Sequence, residues 1–78
     1  MNNNLMPLSM LSIGEKAELV DVHGGHGIRM RLASMGLNPG VIVEMVQNAM
    51  PGPVILGVMD TRLAMGRGMA QKILVQKV

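Results

Sequence analysis

A small, mainly β fold is what this chain of 78 residues predicts: a five-stranded, partly open barrel with one short α-helix. Three observations carry that expectation. Apolar and β-branched residues fall in short runs, such as Val41 to Asn48 and Val54 to Met59, broken by glycine or proline. One segment, about residues 27–35, spaces its apolar side chains as a helix does; Met65, Met69 and Ile73 also share a helical face, but glycines interrupt it. The connections are short enough to join strands that lie side by side.

In chain order, Asn2 to Met6 is polar. Residues 1–7 are expected to be a flexible N-terminus, leaving 8–78 as a single domain. Leu8, Leu11 and Ile13 point to a short turn packed on the barrel before Gly14 reverses the chain. Glu15 to His23 reads as the first strand. Its apolar parity slips, since Ala17 and Leu19 share one face while Val20 and Val22 fall on the other, which marks a β-bulge or burial on both sides. After the loop His23-Gly-Gly-His-Gly, residues Ile28, Leu32 and Met35 form a helical stripe, with Met30 almost opposite it. Gly36 fits the left-handed position that ends a helix, with Leu37 making the apolar contact of a Schellman cap. Asn38-Pro39-Gly40 fits a type II turn.

Val41 to Asn48 then forms a strand, and Pro51-Gly52-Pro53 a hairpin loop, because two prolines cannot lie inside a ladder. Val54 to Met59 returns, and Asp60-Thr61 connects it tightly to a strand from Arg62 to Met65. Gly66 and Gly68 are poor helix formers, so only a short helical turn is expected at about 66–71 before Ile73 to Val78 closes the sheet.

Composition narrows the function. There is no cysteine, which removes disulfides and thiolate-held metals. The N-terminus lacks the basic start and apolar run of a secretory signal, and no apolar stretch is long enough to span a bilayer, so a soluble protein is expected. There is no Phe, Tyr or Trp, so single-stranded nucleic acid finds no stacking platform. The net charge of +2 is too small for phosphate-driven binding, and no nucleic-acid partner is expected. Ten methionines stand in place of aromatics and are expected to fill much of the core; their spacing does not suit copper(I).

Few residues have the makings of chemistry. His23 and His26 flank two glycines, and two imidazoles could converge on Fe²⁺ or another divalent transition metal, with Asp21, Glu15 or Glu18 adding a carboxylate. The glycine loop lacks the Lys-Ser/Thr of a P-loop and the dinucleotide fingerprint; unusual backbone angles account for its glycines. Ser9, Ser12 and Ser34 stand on no nucleophile elbow, and the five acids show no pairing for acid–base work, so no enzyme is expected. A barrel this small is filled by its own side chains. What remains is a protein-contact surface, for which Arg29, Met30 and Arg31 on the helix and Arg62 and Arg67 around the last strand–turn unit are the candidates.

The helix and turn Arg31-Leu-Ala-Ser-Met-Gly-Leu-Asn-Pro-Gly, with a strand behind it, closely resembles the FeoA family, the ferrous iron transport protein A domain. Leu8 with Ile13-Gly14, Gly24-Gly25, Gly52-Pro53, and Leu63-Ala-Met-Gly with Met69-Ala and Ile73-Leu-Val agree in order and spacing, so the resemblance runs from Leu8 to Val75. Asp60 stands where such sequences commonly have Gly, and is expected to accept left-handed geometry there; Met replaces Leu at several apolar positions. The resemblance implies an SH3-like barrel, cytoplasmic, acting as an accessory or regulatory adaptor of bacterial ferrous iron uptake. Its implied partner is the membrane permease FeoB, which carries a GTP-binding domain. The family supplies no catalytic residues. The rival reading is a metal-responsive module binding a divalent ion through His23, His26 and Asp21.

Overall fold

The computed structural model describes residues 5–78, and its strands pair into a single six-stranded antiparallel sheet. In chain order these are β1 (Leu5–Pro7), β2 (Lys16–Val22), β3 (Ile42–Gln47), β4 (Val54–Val58), β5 (Thr61–Met65) and β6 (Ile73–Lys77). A 3₁₀ turn covers Leu8–Met10, helix α1 spans His26–Ser34 and a single turn α2 spans Arg67–Ala70. The strands lie in the order β1-β6-β2-β3-β4-β5, so the sheet curls without closing and β1 and β5 are its edges. The sixth strand corrects the expectation of five. Leu5–Pro7, expected to be flexible, pair with Leu74–Gln76 of β6; backbone pairing orders a segment whose composition gives no sign of it. The rest of the flexible stretch expected over 1–7, residues 1–4, lies outside the described residues.

The parity slip in the first strand is a bulge. Pairing of β2 with β6 shifts register between Leu19 and Asp21, so Ala17, Leu19 and Val22 all face inward while Val20 is half-buried. A second shift lies in β3 against β4, between Met45 and Gln47. Such bulges bend and twist a ladder, which helps a short sheet to curl.

Helix α1 ends as its residues dictate. Gly36 has φ +87°, its N–H donates to the Ala33 carbonyl at 3.0 Å, and the Leu37 N–H donates to the Leu32 carbonyl at 2.9 Å. Both bonds of a Schellman cap are therefore made. The Val41 N–H reaches the Asn38 carbonyl at 3.1 Å with Gly40 at φ +99°, closing the type II turn. Of the helical stripe, Leu32 is fully buried while Ile28 and Met35 pack at the margin of the core.

Every buried side chain among the described residues is apolar, and no polar or charged residue is buried with them. Leucine and valine dominate this core: Leu8, Leu11, Leu19, Leu32, Leu37, Leu56, Val43, Val54 and Val75. The methionines are a correction, for among the described residues only Met45 and Met65 are buried, while Met10, Met30, Met50 and Met59 are exposed. Strand alternation puts leucine and valine at the inward positions and leaves these four methionines on turns, loops and the outer helix face. Ile13 is likewise exposed, because the turn directs only Leu8 and Leu11 inward. The connection after β4 differs too: the residue with positive φ is Met59, at +56°, and not Asp60.

Candidate functional site

With the interior filled, the chemistry available to this chain lies on its outer surface. Its main depressions among the described residues are open to solvent, and none of them is an enclosed cavity.

One of them runs along the outside of α1, bordered by Val22, His26, Met30, Ala33, Leu37 and Pro39, with Arg29 at its rim. The cap and type II turn set its shape, since they fold Leu37 and Pro39 back beside the helix. Met30 projects from α1 with 60 % of its surface exposed, and Arg31 is exposed next to it. Arg29 is less free. Its Nη1 donates to Asp21 Oδ1 at 3.1 Å, and the same oxygen accepts the Val22 N–H at 2.8 Å. The Val22 N–H, and then the Arg29 guanidinium, hold the Asp21 carboxyl below its ordinary pKa. Both partners of this pair are about half exposed, so its contribution to stability is small.

The histidine cluster does not assemble as a three-donor set. His23 follows β2, with its N–H bonded to the Lys72 carbonyl at 2.7 Å, while His26 opens α1. Asp21 Oδ1 is already engaged by a backbone donor and a guanidinium. Among the described residues no three His, Asp or Glu side chains gather closely enough to hold a metal ion. Of the two intervening glycines, Gly24 has a conformational and steric reason: it sits at φ +138°, and a Cβ there would lie 2.6 Å from Ile28 Cγ2.

The two C-terminal arginines part ways. Arg62 is exposed on β5 and makes no ion pair among the described residues. Arg67 is not a free surface cation. Its Nη1 donates to Asn48 Oδ1 at 2.7 Å and its Nη2 to the Ala49 carbonyl at 3.2 Å, while its Nε is buried without a partner. Asn48 in turn donates through Nδ2 to the carbonyls of Ser9 and Leu11, at 3.0 and 2.9 Å. This network ties α2, the β3–β4 loop and the 3₁₀ turn together. Sequence reasoning missed Asn48, whose one sign was its place between a strand and a Pro-Gly-Pro loop. On the other side of the Leu11–Ser12 peptide, the Ser12 N–H donates to Glu15 Oε1 at 2.7 Å, and Lys77 Nζ meets Glu15 Oε2 at 2.7 Å. The lysine bond, followed by the backbone bond, lowers the Glu15 pKa.

No helix of the described residues is long and apolar enough to cross a membrane. The FeoA domain family matches residues 6–77. A Methanocaldococcus jannaschii protein assigned as Fe(2+) transport protein A is 36 % identical over 72 residues, covering 92 % of this chain and 87 % of the relative. A crystal structure of an iron uptake regulatory protein (FeoA) superimposes with a TM-score of 0.89 at 38 % identity, covering 95 % of this chain and 99 % of that one. Stenotrophomonas maltophilia FeoA complexed with zinc, described as a prokaryotic SH3 domain protein, gives a TM-score of 0.76 at 30 % identity over 91 % of this chain and 89 % of that one. With an SH3-like barrel, a filled interior and a match across nearly its whole length, the chain belongs to the FeoA domain family of ferrous iron transport proteins.

Proposed function

We propose that this protein is a cytoplasmic accessory adaptor of ferrous iron uptake that works by docking its outer surface on the FeoB permease. The observation that carries this reading is the wholly apolar, filled core of a chain whose family is one of iron transport. Such a molecule has its surface to offer and no catalytic hollow. The outer face of α1 supplies a flexible apolar anchor in Met30 and a cation in Arg31, a combination suited to a protein contact. Arg29 supports the same face through its bond to Asp21. Arg62 offers a second, separate contact, whereas Arg67 acts by holding the fold.

Titration of the ¹⁵N-labelled protein with the cytosolic domain of FeoB, with and without nucleotide, tests the reading. Shifts of the α1 amides that disappear in Met30→Glu and Arg31→Glu support it, and an unchanged amide spectrum overturns it. The metal-responsive alternative is separated by Fe²⁺ or Zn²⁺ titration. A saturable shift at His23 and His26, lost in Asp21→Asn, would favour that alternative.

A further inference from the structure

The sheet has two edges, and they are unequal. β1 is three residues long and ends in Pro7, which has no N–H, so it is a blunted edge. β5 is five residues long, contains no proline and, among the described residues, pairs only with β4 in the sheet. The register sets which of its backbone groups are free. Val58 faces Thr61 across a two-residue loop, and the closing pair of such a hairpin exchanges both hydrogen bonds. Leu56 with Leu63, and Val54 with Met65, are bonded in the same way. The N–H and C=O groups of Arg62 and Ala64 therefore point away from β4. They take no part in the backbone bonds of the turns and loops, and both residues are exposed.

We propose that this free edge takes an extended segment of a partner protein as a seventh strand, one that carries an acidic residue to face Arg62. Four main-chain hydrogen bonds to Arg62 and Ala64 supply the attachment, as in other additions of a strand to an open edge. The charge follows from the outer face of the sheet. There Arg62 lies opposite Gly57, which lies opposite Glu44, so the nearest acid across the strands is two positions away and makes no ion pair with it. A carboxylate on the incoming strand would sit directly beside the guanidinium, where an opposite charge is favourable.

A second copy of this chain is the poorer occupant. In the register that overlaps all of β5 with its copy, Leu63 faces Leu63, and the two Arg62 side chains become diagonal neighbours on one face with no acid between them. The arginine thus repels a copy of itself and attracts an acidic strand. This inference deepens the adaptor reading, and it rests on that reading only in requiring a protein partner.

The test uses the full ¹⁵N-labelled chain and a peptide, acetyl-Thr-Val-Glu-Val-Thr-amide, without FeoB, so that either proposal can fail alone. The expected result is amide shifts confined to β5 and β4 at millimolar peptide, with slowed hydrogen exchange at Arg62 and Ala64. A peptide with Lys in place of Glu should bind roughly two- to fivefold more weakly, the ratio expected of one exposed charge pair. Arg62→Glu should reverse that preference. Ala64→Pro, which removes an outward N–H while sparing the bonds to β4, should abolish the shifts. Equal binding of the two peptides, shifts centred on α1, or no shifts at all would overturn the proposal. So would β5 shifts produced by raising the protein concentration alone, since these would mark self-pairing.

Discussion

At the scale of single residues, Asn48 holds together parts of the chain that are far apart in sequence, bonding residues 39 and 37 positions before it and Arg67 19 positions after it. Asn48→Ala leaves two carbonyls and a guanidinium nitrogen without their partner. It should lower the unfolding free energy by about 2 kcal/mol in urea denaturation, the scale of unmade, partly buried hydrogen bonds. Glu15 and Asp21 add a small slope to the acid side of the stability profile. Their pKa values are lowered by folding, so the stability they contribute is complete above the unfolded carboxylate range and lost as pH falls through the depressed folded values. Thermal melts at low salt should therefore decline below roughly pH 4, and Glu15→Gln should flatten part of that slope. Legibility at this scale follows range. Gly36, Pro39 and Gly40 act on their immediate neighbours and could be read from the sequence, whereas the role of Asn48 depends on partners that only the folded chain brings near.

At the scale of elements, the helix end and the hairpins differ in how well residue and backbone agree. Gly36 holds φ +87° in the cap of α1 with space around it, so Gly36→Ala tests backbone strain alone. The expected loss is about 1 kcal/mol, measured by chemical denaturation. The β4–β5 hairpin shows the opposite case. Met59 takes φ +56° at a tip where glycine is the usual choice, and it is 91 % exposed. Met59→Gly should stabilise by about 0.5–1 kcal/mol, the relief of left-handed strain less the added freedom of the unfolded chain. The same hairpin shows why one expectation went astray. The sequence pattern locates a turn there, but one residue of register decides which of Met59 and Asp60 carries the strain. The helix and most strands were legible because periodicity and turn chemistry agree. β1 was not, since a strand of three residues is made by its partner β6 and leaves no periodic trace of its own.

At the scale of the whole molecule, the open sheet depends on its short N-terminal strand. Removing residues 1–7 would strip β1 from β6 and uncover Met6's place at the margin of the core. The truncated protein should keep the fold with a melting temperature lower by roughly 4–8 °C, corresponding to about 1 kcal/mol in a domain of this size. Calorimetry would measure it. The barrel itself was legible, since strands, breaks and connection lengths all argued for it. The outer surface was legible only as a set of residue types, because pairing separates Arg62, which has no ion-pair partner among the described residues, from Arg67 and Arg29, which are bonded within the chain. The apolar interior has one further consequence. Every residue in it is Ala, Val, Leu, Ile or Met, so each carries at least one methyl group, and the chain has no Phe, Tyr or Trp ring to spread their resonances. A methyl-labelled sample would thus report from every point of the interior in a crowded, narrow spectrum. Any ring brought by a bound protein would announce itself as an isolated peak displaced from that crowd.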